Sequence, residues 1–218
     1  MGRSLPHIGT TGHTFFVTIR LAGSLLQESS QKLRELYHAD LGKLGLQNHR
    51  DATPVQAARL QKSYLKRLEE YLNKSAQSAA DPDAPKWLSA DPVAAVVAEA
   101  IQFRNGSLYE LHAFTIMPNH AHLLLTPRTT GKGDPPIDYL NTVVSNLKRH
   151  TGKLANEILG TAGLFWDIES LNYLVRNEAE MFKINDFILQ NPVNAGLVEH
   201  WQGWRWCYTK YPRRKELK

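Results

Sequence analysis

His120 and His122 stand one residue apart at the head of a very apolar run, His120-Ala121-His122-Leu123-Leu124-Leu125. On a strand, residues i and i+2 point to the same face. The two imidazoles are therefore expected side by side. Imidazole nitrogen is a good ligand for divalent metals, and two on one face supply most of a site. The bare pair has a bland reading as well, because a chain with nine histidines can hold an H-x-H by chance. Context strengthens the metal reading: the pair opens its strand at a hairpin corner, where side chains meet a cleft.

The elements that must position this pair follow from periodicity. Tyr109–Met117 and Ala121–Thr126 read as two strands joined by the tight link Pro118-Asn119-His120, a β-hairpin. An earlier strand, His13–Leu21, is rich in aromatic and β-branched residues and follows the turn Gly9-Thr10-Thr11-Gly12. Residues 26–45 read as helical, with Leu33, Leu36 and Tyr37 on one face. Pro54 can open a second helix. Its apolar stripe, Leu60, Tyr64, Leu68, Tyr71 and Leu72, is a packing face and is assigned no other role. Residues 75–85 read as a loop. Asp91-Pro92 starts a further helix with Val93, Val96, Val97 and Ala100 inward. Residues 137–159 and 178–190 are the remaining helices, the last ended by Asn191-Pro192. Strands and helices interleave without a regular βαβ rhythm. This predicts an α+β fold, one antiparallel sheet with helices packed on it, in a single domain over 1–218. The helical stretch at about 26–85 reads as an insertion after the first strand.

Composition bounds the function. Hydrophobic residues make up 42% and charged residues 22%, as in an ordinary globular protein. The single cysteine, Cys207, excludes a disulfide within the chain and a cysteine metal cluster. No apolar run approaches a membrane span, and Met1-Gly2-Arg3-Ser4-Leu5-Pro6 lacks the apolar core of a secretory signal, so a cytoplasmic protein is expected. The net charge of +5 and pI of about 9.3 lean towards a polyanionic partner. Lys148, Arg149, Lys153, Arg176 and Lys183 gather in the C-terminal half, and the tail at 208–218 is strongly basic.

Several segments, in order, carry a resemblance. Met117-Pro118-Asn119-His120-Ala121-His122-Leu123-Leu124-Leu125 resembles the histidine–hydrophobic–histidine signature of the HUH endonucleases, most nearly that of the REP-associated tyrosine transposases. RSLPHIGTTGHTFFVTIRL is similar to that family's N-terminal segment, APKWLSADPVAAVVAEAI to its helix before the hairpin, and LKRHTGKLAN to its basic helix after it. FWDIESLNYLVRNEAE resembles its W-x-x-E-S-x-x-x-x-V-R-x-E segment, and ILQNPVNAGLV its closing N-P-V-x-A-G-L-V. The resemblance covers most of the chain.

The resemblance implies a ferredoxin-like (HUH) sheet and a defined chemistry. A tyrosine on the last helix attacks a phosphodiester in single-stranded DNA, forming a 5′-phosphotyrosine. A Mg²⁺ or Mn²⁺ ion, held by two histidines and a third polar ligand one helical turn beyond the tyrosine, polarises the phosphate. Carried over, His120, His122 and Asn191 are the metal ligands, and the nucleophile falls at position 187. That position is Phe187, which has no oxygen. A deliberate substitution that traps uncleaved DNA and a naturally inactive, domesticated copy both account for it. A frame error is the third account, with Tyr173 the nearest other tyrosine.

The partner implied is single-stranded or hairpin DNA of REP-like repeats, bound by a chain read as a monomer rather than a homodimer. DNA contacts are expected from Arg3 and His7, from Lys148, Arg149 and Lys153, and from Arg176 and Lys183. Glu169 is a candidate to orient a histidine, with a plain surface glutamate the default. Trp166, Trp201, Trp204 and Trp206 read first as core or surface anchors. A non-cleaving hairpin-binding protein is the alternative function. An RNA-binding sheet would need the K/R-G-F/Y aromatic strand motif, which the sequence lacks.

Overall fold

The computed structural model describes residues 13–77, 84–128 and 136–211. Among these residues, five antiparallel strands run in the order β4-β1-β3-β2-β5. They are β1 (Phe15–Leu21), β2 (Tyr109–Ile116), β3 (His120–Pro127), β4 (Trp166–Leu174) and β5 (Cys207–Thr209). The α-helices are α1 (Gln27–Lys43), α2 (Pro54–Gln77), α3 (Asp91–Phe103), α4 (Pro136–Leu159) and α5 (Glu178–Asn194). The α+β architecture and the hairpin follow the sequence expectation.

Alternation along the central strands divides the sheet into two faces. Phe15, Val17, Ile19 and Leu21 of β1 and Ala121, Leu123 and Leu125 of β3 pack with α3 and α4 in the main core. Phe16 and Leu124 point the other way and pack with Ile188 and Met181 of α5. A period of two also sends Thr18, His120 and His122 to that second face. Buried on both sides, β3 is apolar throughout apart from its histidines and Thr126. Register fixes their neighbours: Thr18 lies opposite His122, and Arg20 opposite His120.

Three local features fix the elements around that face. Asn177 caps α5 by accepting from the Glu180 backbone N–H, and Glu178 and Glu180 complement the positive end of the helix. Gly152 lets α4 approach the start of β4, since a Cβ there would stand 3.3 Å from Phe165 Cβ. Gln61 Nε2 donates to the Asn172 carbonyl and Gln77 Nε2 to that of Ala195, tying α2 to β4 and to the end of α5.

Some elements depart from the sequence reading. Helix α5 does not stop at Asn191-Pro192 but runs to Asn194. Pro192 lies in the last turn, where its missing N–H costs a single helical bond, and Ala195 N–H closes onto the Asn191 carbonyl. Strands β4 and β5 have no counterpart in the periodicity analysis. Helix α2 extends to Gln77, into the stretch read as a loop, whose residues 78–83 lie outside the described residues. Arg3, His7 and the tail beyond Tyr211 lie outside them too.

Candidate metal centre and its cleft

His120 Nε2 and His122 Nε2 stand 3.1 Å apart, and Glu69 of α2 closes a triangle on them. Glu69 Oε2 lies 2.8 Å from His122 Nε2, and Oε1 lies 3.6 Å from His120 Nε2. These ligand atoms all fall within 4.8 Å of one another, and both imidazoles are buried. Two nitrogens and a carboxylate so close together suit a divalent ion.

The outer nitrogens are held as a metal site requires. Asn119 Oδ1 accepts from His120 Nδ1 at 2.7 Å, while Asn119 Nδ2 donates to the Leu72 carbonyl on α2 at 2.9 Å. The second bond fixes the amide, so Nδ1 carries the His120 proton and the Nε2 lone pair faces the cluster. His122 Nδ1 meets Thr18 Oγ1 at 2.9 Å, and that hydroxyl holds the ring. His122 Nε2 donates to Glu69 Oε2 when it carries the ring proton, and with that proton on Nδ1, where Thr18 Oγ1 can accept it, Nε2 is free for a metal. Burial works to raise the Glu69 carboxyl, but electrostatic attraction and hydrogen bonds from the two histidines, His122 foremost, outweigh it and hold the acid well below its ordinary range. Burial lowers His120 against the attraction of Glu69, which favours the neutral imidazole that binds metal.

Asn191 reaches the same cluster from α5. Its Nδ2 donates to Glu69 Oε1 at 2.5 Å. Its Oδ1 is buried with no hydrogen-bond partner among the described residues. A buried orphan oxygen is costly, and beside this cluster it is a natural further ligand atom. Glu69 is not among the residues singled out from the sequence. The overlooked signal is its position at i+4 from Leu65 and i−3 from Leu72, a carboxylate inside an apolar stripe.

Phe187 lies against the centre. Its ring centroid is 5.6 Å from that of His122 and 5.8 Å from that of Phe16. It forms part of a cleft of about 840 Å³ between α2 and α5 that also contains Glu69, His122, Arg176 and Lys183. Arg176 is held by Glu180, with Nη2 donating to Oε1 at 2.6 Å. Tyr173 lines the same cleft but donates its hydroxyl to Glu180 at 2.7 Å. Burial and that carboxylate push the phenol up to about 12, which makes it a poor nucleophile.

The other sequence candidates lie elsewhere. Lys148, Arg149 and Lys153 are on α4, whose apolar side packs on the opposite sheet face. Lys148 donates to the Ile168 carbonyl, Arg149 to Asn146, and Lys153 pairs with Glu157. Glu169 is exposed on edge strand β4 and holds neither histidine. Trp166 is buried and donates to Thr151, and Trp204 donates to the Ile116 carbonyl, both anchoring roles. No helix among the described residues is long and apolar enough to cross a membrane.

No protein-family model and no curated protein matches the chain. Among solved structures it is similar to one of the REP-associated tyrosine transposase bound to a REP hairpin. That pair shares 16% identity over 95% of this chain and 82% of the other, with a TM-score of 0.42. A likeness of that size carries no functional inference.

Proposed function

We propose that this chain is a metal-dependent DNA-processing protein of the tyrosine-transposase type, acting on hairpin DNA with single-stranded segments, in which Phe187 stands where the attacking tyrosine would be. One observation carries the reading: the Glu69, His120 and His122 ligand atoms converge at the edge of a cleft lined by Glu69, His122 and Phe187, with Phe187 against the His122 ring. The motif resemblance independently puts the nucleophile at position 187 and a ligand at Asn191. The path β1, helices, β2, β3, α4, β4, with order β4-β1-β3-β2, agrees with a ferredoxin-like core extended by β5. Helices α1 and α2 are then an insertion in one domain, and the chain acts as a monomer.

Each side chain has a task in this reading. Glu69, His120, His122 and the Asn191 oxygen hold the ion, and Thr18 and Asn119 keep the imidazoles turned towards it. Bound there, the ion would supply Lewis-acid polarisation of a phosphate oxygen. Mixed nitrogen and oxygen donors favour Mn²⁺ over Mg²⁺, which prefers oxygen alone. Lys183 brings positive charge to the cleft, and Arg176 lines it while paired with Glu180. Phe187 fills the nucleophile's volume without its oxygen, so the chain binds and does not cut. The same residue favours the second reading, a domesticated hairpin-binding protein.

Fluorescence anisotropy with Mn²⁺ present tests the function. A hairpin with single-stranded flanks should bind more tightly than a blunt duplex of equal length, and log affinity should fall linearly with log salt. Equal affinity for the two DNAs would overturn the proposal.

A further inference from the structure

We propose that helix α2 is a strand-binding wall of this cleft: Arg59, Lys62 and Lys66 grip the phosphates of the unpaired strand, and its bases lie on the apolar floor beside Phe187. This rests on the DNA-binding function above and adds the residues that select an unpaired strand. The three cations stand at i, i+3 and i+7, and Glu69 follows at i+10, so one stripe along α2 runs into the metal centre. At 1.5 Å per residue the stripe is ~15 Å long, enough for a short run of nucleotides.

The stripe is exposed and its charge is available. Arg59, Lys62 and Lys66 are exposed, line the cleft, and among the described residues have no ion pair. Arg176 contrasts with them, since Glu180 holds it. Lys183 faces the stripe from α5 across the cleft, also without an ion pair among the described residues. The acids there do little to cancel this charge, because Glu69 belongs to the metal centre and Glu180 to Arg176, leaving Glu70.

Between the cationic walls the lining is apolar, with Phe16, Leu65, Phe187 and Ile184. Charged rims over an aromatic floor are how single strands are held: phosphates track the rim while unpaired bases stack. A duplex keeps its bases stacked inside and cannot use such a floor. A merely solvated helix face would put no apolar cavity between its cations and the chemistry. Charge complementarity and the aromatic floor together point to an unpaired nucleic-acid strand as the occupant.

The test uses the full chain with Arg59→Gln, Lys62→Gln and Lys66→Gln combined, a hairpin with a single-stranded flank, and the same hairpin made blunt. The triple variant should lose about tenfold or more in affinity for the flanked hairpin, and its salt slope should fall by about 2, near 0.7 per lost phosphate contact. Affinity for the blunt hairpin should change less than about threefold, and Mn²⁺ binding should persist, which shows that the fold and metal centre are intact. Unchanged affinity and slope for the flanked hairpin would overturn the role of α2 while leaving the proposed function standing. Equal losses on both DNAs would overturn the strand selectivity. A wild-type chain that binds neither DNA would overturn the proposed function itself.

Discussion

Glu69 Oε2 lies 2.8 Å from His122 Nε2 although the two residues are 53 positions apart in the chain. The contact turns a histidine pair on a strand into a three-residue centre, and it exists only because α2 is docked over the sheet. Asn119 belongs to both halves, since it orients His120 and bonds the Leu72 carbonyl of α2. Packing of α2 and organisation of the centre are therefore one event.

Metal affinity should report this directly. By calorimetry with Mn²⁺, Glu69→Gln should weaken binding by about 100-fold or more, and Asn119→Ala, which frees the ring without removing a ligand, by about 10- to 100-fold. An affinity indifferent to Glu69→Gln would remove α2 from the centre.

The histidines and the helix bearing Phe187 and Asn191 could be read from sequence, because strand alternation and helical spacing are local. Glu69 could not be placed, since nothing local says which side chain a docked helix will deliver to a distant strand. β4 escaped notice because Trp166–Leu174 is an edge strand that mixes exposed and half-buried positions, without clean alternation. β5 is too short to carry a period. Helix α5 outran its proline because a single lost bond near a helix end is cheap. The basic run on α4 is local and legible, whereas its placement on the sheet face opposite the cleft is set by packing.

His112 makes stability depend on pH. Burial pushes its imidazole down to about 4 from 6.5, while its nitrogens meet Tyr211 Oη and Thr126 Oγ1. Between those values the unfolded chain binds the extra proton, so stability is lost as pH falls from 6.5 towards 4. Urea unfolding should show about 3 kcal/mol of such loss at this site. His112→Gln should start less stable and show a flatter profile across the same range. A profile as steep as wild type would show that another group sets the pH dependence.

Cys207 should be chemically quiet. Burial pushes its thiol up to about 11, and its Sγ donates to Thr115 Oγ1. At pH near ~8 very little thiolate forms. Iodoacetamide should label the native chain far more slowly than the urea-unfolded chain, and equal rates would contradict the burial of this thiol.

Phe187→Tyr tests the central claim. The substitution adds one hydroxyl beside His122 in the cleft and should change the thermal midpoint little. Incubated with a flanked DNA hairpin and Mn²⁺, then resolved by denaturing electrophoresis, the Phe187→Tyr chain should carry a covalent DNA adduct. The chain with Phe187 should carry none, and adding Glu69→Gln to Phe187→Tyr should abolish the adduct. An adduct on the chain with Phe187, or none on the Phe187→Tyr chain while it binds both Mn²⁺ and hairpin, would contradict the assignment of position 187 as the nucleophile's place.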